Sequence, residues 1–164
     1  MQEDRIAEAW RAIAGLRRDQ WADASQEQRL SALQRAENEA ARIQGRDPLS
    51  VALDAGAPSE EKGYYNGEQI LIGEHSLNND DVSEIANTLA HEGRHAYQDY
   101  AIEHPNFHPD ADDVQSWREN MQPGAYIPPE QGYQQYRNQP IERDAWSFGN
   151  NITNGVYGAK ENNE

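Results

Sequence analysis

His91-Glu92-Gly93-Arg94-His95 carries the spacing His-Glu-x-x-His. On an α-helix, residues four apart lie on one face one turn apart, so both imidazoles can reach one tetrahedral metal ion. The intervening Glu92 then stands where it can take the proton of a water activated at that ion. The chemistry this pattern would perform is metal-assisted hydrolysis, with His91 and His95 as ligands and Glu92 as general base.

A catalytic zinc site normally has three protein ligands and one open position. The chain has no cysteine, so histidine and carboxylate must supply them and a disulfide framework is excluded. Gln98 and Ala101 stand where the extended metzincin pattern would place a glycine and a third histidine, which removes that arrangement. Asp99 lies one turn beyond His95, but three residues at successive turns spread over about 12 Å of helix and cannot converge on one ion. The third ligand must come from another helix. Glu142, in the apolar segment beginning at Pro140, is the expected one, and Asp144 is its nearest competitor. His75, His104 and His108 read as solvent-exposed loop residues.

The histidines need a helix, and the sequence provides one. At 100° per residue Val82, Ile85, Leu89, Ala96 and Tyr100 gather opposite His91. Gly93 falls on that packing side, where it permits close approach of a neighbour. Asp81 with Glu84 resembles a capping box and Pro105 forbids continuation, so the active-site helix lies within 81–103, from about Val82 to Ile102. Upstream, within residues 1–45, Ile6, Trp10, Ile13 and Leu16 predict a helix over Asp4–Gln20. Ser25 with Gln28 then opens a second helix that Gly45 and Pro48 close. Residues 49–73 change period. Asn66-Gly67 between Tyr64-Tyr65 and Ile70-Leu71-Ile72 is a strong hairpin signal, predicting a small antiparallel sheet beside the histidine helix. From His104 to Gly132 prolines recur without a clear period, predicting mostly loop. Pro140 with Ile141, Ala145 and Phe148 predicts a short helix within 139–149, followed by a loose tail over 150–164. These elements describe one α+β, mainly helical domain spanning residues 1–164.

The formal net charge is −15 over 164 residues. Nucleic-acid sites advertise themselves as basic patches, so such a ligand is not expected, and a basic or neutral partner is. The N-terminus, Met1-Gln2-Glu3-Asp4-Arg5, lacks the apolar run of a signal peptide, and no stretch approaches a membrane span. A soluble protein made in the cytoplasm, with no membrane partner, is expected.

The order of these segments, the stretch Leu89 to Gln98, and Pro140-Ile141-Glu142-Arg143-Asp144-Ala145-Trp146 together resemble the zincin-like metallopeptidase domains of bacterial polymorphic toxins and secreted effectors. The resemblance extends loosely over Arg29 to Phe148 and follows the gluzincin ligand plan. It implies one zinc ion per chain on His91, His95 and Glu142, with Glu92 as base. It also implies a protein or peptide substrate, a cognate immunity or inhibitor protein, and delivery by a specialised secretion system. Many gluzincins place an aspartate four residues after the third ligand; Trp146 holds that position here, leaving the groups that orient the histidines open between Asp144 and a backbone carbonyl. An oxyanion donor would come from Tyr126, Tyr133, Tyr136 or Arg94, with Tyr136 favoured for its nearness to Glu142 in sequence. Two rival readings fit the same residues: a zinc amidase acting on cell-wall peptides, and a non-catalytic acidic interaction module with a structural metal.

Overall fold

The N-terminal apolar stripe does not run as one helix. In the computed structural model, which describes residues 1–159, it divides into α1 (Gln2–Arg11), a 3₁₀ turn (Ala14–Leu16) and α2 (Arg18–Asp23). The break lets Trp10 and Trp21 both reach the core, where each is at most 1% exposed. At the bend Gly15 lies so close to α3 (Gln26–Gln44) that a Cβ there would sit 2.8 Å from Ala32 Cβ. α3 itself follows the sequence. The Ser25 hydroxyl accepts from the Gln28 amide at 3.2 Å, the Gln28 side chain accepts from the Ser25 amide at 2.8 Å, and Gly45 ends the helix with φ +79°.

The sheet is mixed and three-stranded rather than purely antiparallel. β1 (Ser50–Asp54), β2 (Gly63–Tyr65) and β3 (Gln69–Gly73) lie in the order β1-β3-β2. β2 and β3 form the expected hairpin, with Tyr65 opposite Ile70. Asn66 accepts from the Glu68 and Gln69 amides, and Gly67 takes φ +95°. β1 pairs with β3 in parallel. A parallel pair leaves no turn signal, which is why periodicity alone did not disclose it. Ile70 and Ile72 point into the core, and the β2 edge lies against α5.

After a short α4 (Glu74–Leu77), α5 (Val82–Glu103) matches the predicted helix, capped by Asp81 through the Ser83 amide at 3.1 Å. Val82, Ile85 and Leu89 are buried on its packing face. Beneath Gly93 lies a buried ion pair. Arg46 donates to both oxygens of Glu37, at 2.7 and 2.8 Å, and Glu37 also accepts from the Leu49 amide at 2.7 Å. A Cβ on Gly93 would meet Arg46 Nη2 at 3.4 Å. That is ordinary contact distance, so α5 rests directly on this pair at Gly93.

Two expectations fail downstream. The predicted loop contains α6 (Ala111–Asn120), capped by Asp110, whose buried Val114 and Trp117 join Tyr97, Ala101 and Ile141 in a second apolar cluster. Two apolar residues among prolines and acids are too few to show a helical period. α7 (Tyr133–Asn138) leads into α8 (Pro140–Tyr157), which extends well past Gly149. The loose tail is thus helical as far as Tyr157, and its residues 160–164 lie outside the described residues. Phe148 and Ile152 continue the buried stripe of α8. Its glycines are contact points: a Cβ on Gly149 would sit 2.9 Å from Asn87 Oδ1, and one on Gly155 2.7 Å from Ala7 Cβ. Among the described residues no helix is long and apolar enough to cross a membrane.

The Arg46–Glu37 pair generates a stability prediction, because the two side chains are only 2% and 1% exposed. Glu37→Gln leaves the guanidinium charge buried without its counter-charge and is expected to lower unfolding free energy by about 3–5 kcal/mol in urea titrations. A loss below about 1 kcal/mol would show that the pair is not what seats α5 on α3.

Candidate metal centre

α5 and α8 cross so that the His91–His95 face meets the first turn of α8, where Glu142 lies. His91 Nε2 is 3.1 Å from Glu142 Oε1, His95 Nε2 is 3.3 Å from Glu142 Oε2, and the two Nε2 atoms are 3.2 Å apart. The side chains are 10%, 15% and 3% exposed in the order His91, His95, Glu142. Tetrahedral bonds of about 2.0–2.1 Å to an ion place neighbouring ligand atoms about 3.3–3.4 Å apart, a spacing close to that of the two imidazole nitrogens and of each from a different oxygen of Glu142 in this triad. Among the described residues it is the one group of three histidine or acidic side chains close enough to hold a metal ion. The triad can therefore hold a metal ion.

A second layer fixes the triad. The Gln98 amide nitrogen donates to Asp144 Oδ2 at 2.8 Å and to the Ile141 carbonyl at 3.0 Å, so its oxygen faces His95 Nδ1, 2.9 Å away. This network assigns the Nδ1–H of His95 as donor to Gln98 and leaves Nε2 aimed at the triangle. Asp144 is in turn held by Arg94, at 2.7 Å from Nε and 3.2 Å from Nη2. Asp144 thus orients His95 through Gln98 and stands outside the group that could hold an ion. Gln98 was missed in the sequence. Its one available signal was its place one turn beyond Arg94 and three residues after His95, on the flank that faces α8. His91 lies edge-on to Trp146, with ring centroids 5.2 Å apart, so Trp146 packs against one member of the triad.

The charges within the triangle are strongly coupled. Burial alone would raise the Glu142 carboxyl, but hydrogen bonds and charge from His91 and His95 outweigh it and hold it well below the usual carboxylate range. Burial works against a charged His95, yet the hydrogen bond to Glu142, the charges of Glu92 and Glu142, and the Gln98 contact push it up to about 9. Glu92 is partly exposed, and its Oε2 accepts from the Tyr65 amide at 2.9 Å. Desolvation raises its carboxyl, and the neighbouring histidines and this amide offset only part of that. Tyr65 is pinned to α5 by its hydroxyl, which donates to Asp99 Oδ2 at 2.8 Å.

Of the four groups expected to reach an oxyanion, two do not approach the triad. Arg94 is buried over the rings of Tyr97 and Phe148 and paired with Asp144, and Tyr133 is 55% exposed. Tyr136 and Tyr126 donate to Glu142 at 3.3 and 3.0 Å. Burial and the Glu142 carboxylate raise both phenols, so they remain hydrogen-bond donors at neutral pH. His75 and His104 are exposed, as expected. His108 is not: its ring lies between the Tyr97 hydroxyl at 2.8 Å and Asp113 at 2.9 Å, with the side chain 11% exposed. There it serves the second apolar cluster.

The triad sits between two cavities, each of about 360 Å³. One is lined by Thr88, His91, Glu92, Tyr136 and Trp146. The other is lined by His95 and Glu142 together with Tyr65, Ile102 and Tyr126. Comparison with known protein families, characterised proteins and solved structures finds no match to this chain.

Two outcomes follow for metal binding. Gln98→Leu removes the acceptor for His95 Nδ1–H and is expected to weaken binding of a divalent metal ion about 10- to 100-fold in chelator competition. Glu142→Ala should cost more than that, and a smaller loss for Glu142→Ala would remove it from the ligand set. Because a ligand imidazole must be deprotonated at the atom that binds, the raised His95 makes affinity fall with pH below about 9. Calorimetry in buffers of different ionisation heat at pH 7 should detect close to one proton released per ion, and no release would contradict the assignment.

Proposed function

We propose that the chain is a zinc-dependent metallopeptidase that hydrolyses peptide bonds. The observation that carries this reading is the triangle of His91, His95 and Glu142 with Glu92 beside it, set between two cavities. Two imidazoles and one carboxylate at these separations suit zinc with a fourth position open. The toxin or effector setting rests on the sequence resemblance.

Zinc held there would supply Lewis acidity, polarising a carbonyl and lowering the pKa of a water toward about 7. The chain's own residues do the rest. Glu92, raised by desolvation and aimed by the Tyr65 amide, accepts the proton of the attacking water and returns it to the leaving amine. As the carbonyl oxygen gains charge, a hydroxyl donor must meet it. Tyr136 and Tyr126, both protonated and both on Glu142, are the donors within reach. An extended substrate lying from one cavity to the other brings its scissile bond across the triad, with the β2 edge on one side and Trp146 on the other.

The reading predicts close to one equivalent of zinc per chain in protein purified without a histidine tag. Glu92→Gln should keep that zinc and the fold, while new N-termini mapped across a treated proteome fall by several orders of magnitude in rate of appearance. Near-wild-type cleavage by Glu92→Gln would remove the assigned base. Less than about 0.2 equivalents after zinc loading would remove the metalloenzyme reading.

A further inference from the structure

The cavity on the His95 side has walls that hydrolysis itself does not require. Ile102, Met121, Ile141 and the Tyr126 ring make it apolar, and Asp99 adds a carboxylate beyond Glu142. Met121 is 49% exposed and Tyr126 38%, so two of the few large apolar side chains left open to water stand at this one cavity. Covering them would be favourable.

Asp99 is short of a cation. It receives the Tyr65 hydroxyl on Oδ2. Among the described residues no lysine, arginine or histidine forms an ion pair with it, and Arg46 nearby is committed to Glu37. Burial raises its carboxyl above the ordinary range, the direction expected of a carboxylate without a counter-ion. Asp99 follows His95 by one turn of α5, a rise of about 6 Å. The four-carbon stem of a lysine spans a comparable length.

Resting on the peptidase reading, we propose that this cavity is the subsite for a lysine or arginine side chain flanking the scissile bond, which makes basic peptide segments the substrate class. The apolar stem lies along Ile102, Met121 and Ile141, and the cationic tip meets Asp99. A net charge of −15 would draw such segments toward the chain.

The test uses phosphinic tetrapeptides, which carry residues on both sides of a zinc-binding group and are not hydrolysed. Lysine is compared with norleucine at each flanking position, and binding to the zinc-loaded protein is measured by calorimetry. On one side of the zinc-binding group lysine should bind at least about tenfold tighter than norleucine. Asp99→Asn, which can still accept from Tyr65, should abolish that difference while leaving norleucine affinity within about twofold of wild type. Equal affinities for lysine and norleucine on both sides in wild type would overturn the subsite and leave the peptidase reading standing. A lysine preference that survives Asp99→Asn would overturn the assignment to this cavity. Failure of every phosphinic peptide to bind the zinc-loaded protein would overturn both.

Discussion

Two imidazole nitrogens 3.2 Å apart share one buried carboxylate, His91 Nε2 meeting one oxygen of Glu142 at 3.1 Å and His95 Nε2 the other at 3.3 Å. A buried carboxylate needs positive charge or hydrogen bonds beside it, because the interior offers little water to solvate it, and His91 and His95 supply them to Glu142. Against the cost of burial, the hydrogen bond to Glu142 and the charges of Glu92 and Glu142 push His95 up to about 9, so a proton there meets part of that need. A divalent ion would answer the same need with more charge. Much of the architecture enforces the spacing. The bare Gly149 brings α8 against Asn87 of α5, the Arg94–Asp144–Gln98 chain ties the two helices on the other flank, and both apolar clusters draw on α5 and α8.

That arrangement also explains why the second layer is charged. Arg94 is buried among the rings of Tyr97, Trp117 and Phe148 and is paired with the carboxylate of Asp144. The guanidinium holds Asp144 in place through two hydrogen bonds, and Asp144 in turn holds the Gln98 amide in the orientation that serves His95. The deeper Arg46–Glu37 pair plays a structural part, lying buried beneath α5 at Gly93. Tyr65 links the sheet to the same helix twice, through its amide to Glu92 and its hydroxyl to Asp99. A short strand thereby positions the group proposed as base.

The helix bearing the histidines was legible because apolar period, cap and terminating proline all agreed between Asp81 and Pro105. Glu142 was legible because ligand count demanded a carboxylate from a separate helix, and Pro140 marked where that helix begins. The break at Gly15, the reach of α8 beyond Gly149 and the parallel pairing of β1 were not legible, for a common reason. Each is decided by a tertiary contact: Ala32 against Gly15, Asn87 against Gly149, and β3 between two neighbours. Glycine and asparagine read locally as loop, yet here they mark where helices touch. α6 escaped because Val114 and Trp117 were its only apolar anchors. The roles of Gln98, Tyr126 and His108 depend on distances that spacing along a chain does not encode.

The most direct measurement of whether the triangle is a metal centre is a crystal structure of zinc-loaded protein with anomalous diffraction recorded on both sides of the zinc edge. One peak should appear about 2.0–2.2 Å from His91 Nε2, His95 Nε2 and an oxygen of Glu142. A site without anomalous density, or a zinc bound elsewhere with Glu142 turned away from the histidines, would contradict the account.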